Sequence, residues 1–115
     1  MPLTRVRANA EGGNDIMTQI LLTLDNVSVE LGQGESAVRP VDNVSLEIHK
    51  GETYALLGES GCGKSMTALS ILRLLPQPAG RITGGRITLG EQDLTSLPEA
   101  EMRRIRGRRI AMIFQ

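Results

Sequence analysis

The chain has 115 residues, which bounds it at one modest domain. Lys plus Arg and Asp plus Glu number 13 each, so no net basic field for nucleic acid exists, and no apolar run approaches the ~20 residues of a membrane span. A single Cys excludes an internal disulfide and agrees with a reducing, cytoplasmic setting, while aromatics limited to Tyr54 and Phe114 call for an aliphatic core.

Residues 1–16 are polar, carry Gly12-Gly13 and Asn14-Asp15, and show no periodicity. They read as a disordered extension, and the stretch from Met1 to Asp15 lacks the apolar centre of a secretory signal. Patterned sequence begins at Met17, which is expected to be the natural start, with residues 17–115 forming the folded unit.

Ile20 to Glu30 reads as a strand, with Leu22, Leu24, Val27 and Val29 apolar around a kink at Asp25-Asn26. Leu31 to Ser36 is a turn. Ala37 to Val41 predicts a short strand that Pro40 confines to a sheet edge. Val44 to Ile48 alternates apolar and polar as a half-exposed strand does, and His49 follows as a surface residue. After a turn at Lys50-Gly51, Thr53-Tyr54-Ala55-Leu56-Leu57 is a short apolar run suited to a buried parallel strand. An antiparallel layer followed by a parallel strand and a helix makes a mixed α/β unit.

The next eight residues are Gly58-Glu59-Ser60-Gly61-Cys62-Gly63-Lys64-Ser65, a G-x-x-x-x-G-K-S phosphate-binding loop. Gly at 58, 61 and 63 lets the backbone turn its N–H groups inward, and the free amides of a following helix extend that concavity of donors. In such a loop Lys64 places an ammonium on the β- and γ-phosphates and the Ser65 hydroxyl ligates Mg²⁺. Met66 to Leu75 supplies the helix, with Ala68, Ile71, Leu72 and Leu75 on one face and Pro76 as the stop. Cys62, among backbone donors and beside Lys64, sits where a thiol gains reactivity; the plainer reading, a small residue at a variable loop position, is preferred.

Pro76 to Gly80 reads as a loop, Gly84-Gly85 as a turn, and Arg86 to Gly90 as a short strand. Ser96-Leu97-Pro98-Glu99 has the spacing of a capping box, opening a short helix that runs to Arg106 and stops at Gly107. The arginines from Arg103 to Arg109 read as a solvated face complementing the helix dipole rather than as an RNA or lipid contact. Arg109 to Phe114 predicts a last apolar strand, with Gln115 after it.

Taken together, these segments resemble the ATP-binding subunit of ABC transporters, closest to the dipeptide and oligopeptide import branch, from about Leu21 to Gln115. The likeness rests on Val41-Asp42-Asn43-Val44-Ser45-Leu46, on Gly51-Glu52-Thr53, and on the loop spelled with Glu59-Ser60-Gly61-Cys62. Thr67 to Pro76, Met102 to Gly107 and Ile110 to Gln115 complete it.

The resemblance implies an α/β fold: the N-terminal half of an ABC-type P-loop NTPase domain, an antiparallel β layer plus the start of the parallel core sheet. It implies ATP and Mg²⁺ as cofactors, with Gln115 as the glutamine that opens the Q-loop and reaches toward the metal. It further implies a second ATP-binding subunit, transmembrane permease subunits, an indirect link to an extracytoplasmic substrate-binding protein, and a peripheral place on the cytoplasmic face of the inner membrane. No nucleic acid partner is expected. Where the family carries an adenine-stacking aromatic, this chain has Val29-Glu30-Leu31, and Leu31 offers apolar contact without a π-face. The LSGGQ-type segment, the acidic Walker B strand with its glutamate, and the switch histidine have no match in residues 1–115. The resemblance thus implies an ATP hydrolase in the complete domain, and negligible hydrolysis by these 115 residues alone. The competing readings are a non-catalytic nucleotide-binding module and an inactive truncated remnant; a GTPase is disfavoured because no Asn-Lys-x-Asp segment occurs.

Overall fold

A computed structural model describes the backbone of residues 4–9 and, with side chains, residues 19–57 and 63–113. The elements in order are β1 (Thr4–Asn9), β2 (Ile20–Leu31), a 3₁₀ turn (Gly34–Ser36), β3 (Val38–His49), β4 (Glu52–Leu57), α1 (Lys64–Leu72), β5 (Gly80–Leu89), β6 (Gln92–Asp93) and α2 (Glu99–Ile105). Four of the strands form an antiparallel sheet in the order β3-β2-β5-β6, and β1 pairs with β4 in a two-stranded ribbon.

The core follows from the register. Leu46, Leu24 and Ile87 stand side by side across β3, β2 and β5, and Ile48, Leu22 and Leu89 form the adjoining row. A strict alternation starting at Leu22 and Leu24 would turn Val27 and Val29 to solvent. Asn26, at φ 53°, inserts a bulge that returns both valines to the buried face. Asn43 (φ 55°) does the same in β3, between Val41 and the Val44–Leu46 stretch. The two bulges brace each other. The Asn26 amide donates to Ser45 Oγ at 2.8 Å, and the Asn43 amide donates to Ser28 Oγ at 2.9 Å. Leu72 and Leu75, with Leu94, Met102 and Ile105 of the β6–α2 segment, complete the buried apolar set among the described residues, and every member of that set is aliphatic or a methionine.

Ala37–Val41 and Val44–Ile48 are one bulged strand rather than two, although Pro40 does lie on the edge strand of the sheet. Gly84-Gly85 is no turn. The pair runs within β5, where Gly85 (φ 83°) stands opposite the β2 bulge and any Cβ on it would collide with the Asn26 carbonyl. Helix α1 stops at Leu72, before Pro76, because Arg73 adopts φ 55° and its amide, with that of Leu74, closes back on Ser70 O (3.1 Å) and Leu69 O (2.9 Å).

The capping box does not form either. Pro98 is the N-cap of α2 without a side-chain bond, and the Glu99 carboxylate turns instead to Arg106. After α2 a parallel bridge joins Arg106 to Ile110, but residues 111–113 form no strand, and Ile113 is almost fully exposed. A strand needs a hydrogen-bonded partner, and among the described residues no strand pairs with this stretch.

The largest differences concern β1 and β4. Within the segment read as unstructured, Thr4–Asn9 is a strand, in register with β4 from Thr4 opposite Leu57 to Asn9 opposite Glu52. The run Thr53–Leu57, read as a buried parallel strand, is half-buried to exposed and is paired antiparallel with β1. An apolar run reports the need for cover, not which strand supplies it.

Candidate functional site

β4 leads toward the phosphate-loop sequence and α1 emerges from it. Of the loop residues, Gly58, Glu59, Ser60, Gly61 and Cys62 lie outside the described residues, as does Gln115; Gly63, Lys64 and Ser65 lie within them. Gly63 is the N-cap of α1, buried, with φ 94° and ψ 7°. That left-handed conformation already favours glycine, and packing enforces the choice. A Cβ at this position would overlap the Pro40 carbonyl oxygen and sit 3.2 Å from its carbonyl carbon. The backbone of β3 therefore buttresses the end of the loop, so only a residue without a side chain fits between them.

From Gly63 the chain enters the helix directly, with Lys64 half-buried and Ser65 exposed. First-turn amides of any helix lack intrahelical acceptors, and the N-cap residue, Gly63, has no side chain to cap them. The first turn also holds no acidic residue. Partial positive charge from the helix and the Lys64 ammonium thus share one end of α1, the electrostatic arrangement an anion requires.

Two buried hydroxyls fix this end of the helix. The Gly63 carbonyl accepts both the Thr67 amide at 2.9 Å and the Thr67 hydroxyl at 2.7 Å, and Ser70 Oγ donates to the Thr67 carbonyl at 2.6 Å. Both side chains are fully buried. Sequence reading passed over Thr67 in this role; the signal available was a hydroxyl residue four positions after the glycine, where it can bond back to that carbonyl.

The far end of α1 is held from α2. Arg106 Nε donates to the Leu72 carbonyl at 2.7 Å and Arg106 Nη2 to the Arg73 carbonyl at 3.2 Å. The same guanidinium pairs with Glu99 at 2.5 Å, and that pair holds the Glu99 carboxyl below the usual carboxylate range. Arg73 in turn donates to the Leu94 carbonyl at 3.3 Å and to the Leu97 carbonyl. Thus Arg106, read as part of a solvated face, is a half-buried cap on the helix that begins with Lys64. Arg109 bonds Gln92 Oε1 at 2.5 Å and Arg103 lies 3.8 Å from Glu99, so these arginines face partners within the chain.

The remaining candidates stay apart from this site or play other parts. Leu31 ends β2 opposite Val38 and Gly80, half-buried. Beside it, Glu30 is clamped by Arg39 at 2.7 Å and Arg81 at 3.0 Å, and the Arg39 bond lowers its pKa. His49 Nδ1 faces Glu52 at 3.5 Å on the turn between β3 and β4. Asp93 accepts the Thr95 hydroxyl and, at 3.0 Å, the Thr95 amide; the hydroxyl bond lowers its pKa in an ordinary turn.

A family model described as ABC transporter matches residues 41–115. A probable peptide ABC transporter ATP-binding protein of Sinorhizobium fredii is 44% identical over 96 residues, covering 84% of this chain and 29% of that protein. The dipeptide transport ATP-binding protein of Bacillus subtilis is 46% identical over 95 residues, 83% of this chain and 28% of its own length. A peptidoglycan transport ATP-binding protein of Agrobacterium fabrum is 48% identical over 98 residues, with 85% and 18% covered. The chain spans less than a third of the length of these relatives. Its mostly antiparallel sheet and two helices agree with the front half of such an ATP-binding domain. On the family match and these relatives together, the chain belongs to the ABC transporter family.

Proposed function

We propose that this chain carries the nucleotide-binding front part of an ATP-binding subunit that energises an ABC importer of dipeptides or oligopeptides. One observation supports the reading most: Gly63 is pinned against Pro40 at the mouth of α1, which sets Lys64 and Ser65 on the helix end that favours anions. The names of the relatives, peptide and dipeptide transport ATP-binding proteins, support the substrate class.

The donor set fits a triphosphate with Mg²⁺. The residues that would hold the group are the loop amides of 58–63 on the phosphate oxygens, Lys64 as the balancing charge, the Ser65 hydroxyl toward the metal, and Gln115 with an uncharged amide oxygen. When bound, ATP supplies the binding and hydrolysis energy, and Mg²⁺ neutralises charge on its phosphates. The protein's part is to hold and orient that group. Thr67 and Ser70 fasten one end of α1 and Arg106 the other, so the helix presents a fixed end to the phosphates. Water activation and the second half of the site belong, in this reading, to the complete domain and to a second ATP-binding subunit. Two permease subunits at the cytoplasmic face of the inner membrane would receive the motion, with a substrate-binding protein delivering the peptide outside. Among the described residues no helix is long and apolar enough to cross a membrane.

The test is uptake of a labelled dipeptide by cells carrying the gene with Lys64→Ala. Loss of accumulation, with the protein still present, is expected. Undiminished uptake of every peptide tried contradicts the importer assignment.

A further inference from the structure

We propose that Thr67 is a positioning residue for the phosphate site: its hydroxyl sets the Gly63–Lys64 peptide so that the Lys64 N–H is aimed out of the end of α1 at a bound phosphate chain. This role rests on the nucleotide-binding reading above and names one side chain on which the affinity for phosphate depends. A trans peptide holds its C=O and N–H on opposite sides of the C–N bond, so fixing one fixes the other. The Gly63 carbonyl is fixed twice, by the Thr67 amide at 2.9 Å and by the Thr67 hydroxyl at 2.7 Å. Both donors lie on the α1 side of that carbonyl, so the Lys64 N–H points the other way, out of the helix end.

Most N-cap residues hold their own place with a side-chain oxygen that bonds an amide of the first turn. Gly63 has no such atom, and without a Cβ its backbone is the least restrained of any residue. Its restraint comes from elsewhere: the Pro40 carbonyl packs on one side, and the Thr67 hydroxyl binds from within the helix. A buried threonine inside a helix commonly bonds back to a carbonyl one turn earlier, which satisfies the hydroxyl and does little more. Here that carbonyl belongs to the last glycine of the phosphate loop, so the bond acts on the first amide of α1. Thr67 is fully buried, and no solvent competes for its hydroxyl. Hydrogen bonds in series also polarise one another, so two donors on the carbonyl strengthen the N–H across the same amide.

Titration calorimetry of the full chain with Mg²⁺ and either ATP or tripolyphosphate tests this, with urea melts on the same samples. Thr67→Val keeps the shape of the side chain and removes the hydroxyl, whereas Thr67→Ser keeps the hydroxyl. Thr67→Val should weaken both ligands by the same factor, about fivefold or more, and Thr67→Ser should stay within about twofold of the parent. The factor is shared because the loss falls on the phosphates, which both ligands carry. Thr67→Val that binds both ligands as tightly as the parent, whatever its urea midpoint, reduces Thr67 to a structural role and overturns the proposal. Equal losses in Thr67→Ser and Thr67→Val overturn it too. A parent chain that binds neither ligand removes the nucleotide-binding reading itself, and the role of Thr67 with it. If Thr67→Val does not fold, nuclear magnetic resonance on the parent decides. Saturating tripolyphosphate should move the Lys64 amide proton downfield, as a hydrogen bond to an anion does, and an unmoved Lys64 amide rejects the role.

Discussion

Gly63 and the carbonyl of Pro40 are in backbone contact, with no room for a side chain between the end of the phosphate loop and strand β3. The contact joins two segments 23 positions apart in sequence and sets the height at which α1 begins. Gly63→Ala therefore meets two penalties, a left-handed backbone and an overlap with a carbonyl, together roughly 2–4 kcal/mol. Urea unfolding should show a midpoint shift of that size, and nucleotide affinity should fall further than stability does. An alanine variant with the parent midpoint contradicts the contact.

Arg106 makes a second prediction. Its guanidinium bridges the last carbonyls of α1 to Glu99 on α2, and a lysine cannot reproduce that fork. Arg106→Ala should cost about 1–3 kcal/mol, since it leaves two helix-end carbonyls without a charged donor. Arg106→Lys should recover only part of this. Glu99→Gln should cost less than either, because the exposed carboxylate contributes little as an ion pair. Equal stability for the three variants in urea melts would count against the cap.

Stability should also depend on pH in a set direction. Glu99 is held low by its bond to Arg106, Glu30 by its bond to Arg39, and Asp93 by the Thr95 hydroxyl. Each folded-state pKa lies below its ordinary value, so the contribution is present above the unfolded pKa and is lost as pH falls through the folded one. Urea midpoints should therefore decline on acidification through and below the ordinary carboxylate range. Combining Glu30→Gln, Asp93→Asn and Glu99→Gln should flatten the decline. An equally steep decline in that triple variant contradicts the assignment of these three groups.

How far the sequence reveals this molecule depends on whether a feature is local. The kink at Asp25-Asn26 was readable because the apolar positions change parity there, and a bulge is the local answer. The helix after the loop was readable because glycine, lysine and serine at fixed spacing mark where such a helix starts, and α1 begins at Lys64. Non-local choices were hidden. Nothing in Gly84-Gly85 says that it lies across Asn26 rather than reversing the chain, since only the partner strand decides. Arg73 ends α1 three residues ahead of Pro76, and the carbonyls of Leu94 and Leu97 that its side chain meets are distant in sequence. Glu99 had the spacing of a capping residue, but an arginine seven positions on offered a charged bond instead of a backbone amide. β1 was invisible for a similar reason, because its short polar sequence acquires a strand only from the edge of β4.

The central claim is that the backbone and the single ammonium between Gly58 and Ser65 hold a triphosphate, and titration calorimetry with Mg²⁺ and ATP tests it most directly. Folded protein should release heat on a saturable curve, and Lys64→Ala should weaken binding by about tenfold or more, as expected for loss of a charge-assisted contact. Folded protein that gives no heat with either ATP or GTP, or that binds equally well after Lys64→Ala, contradicts it.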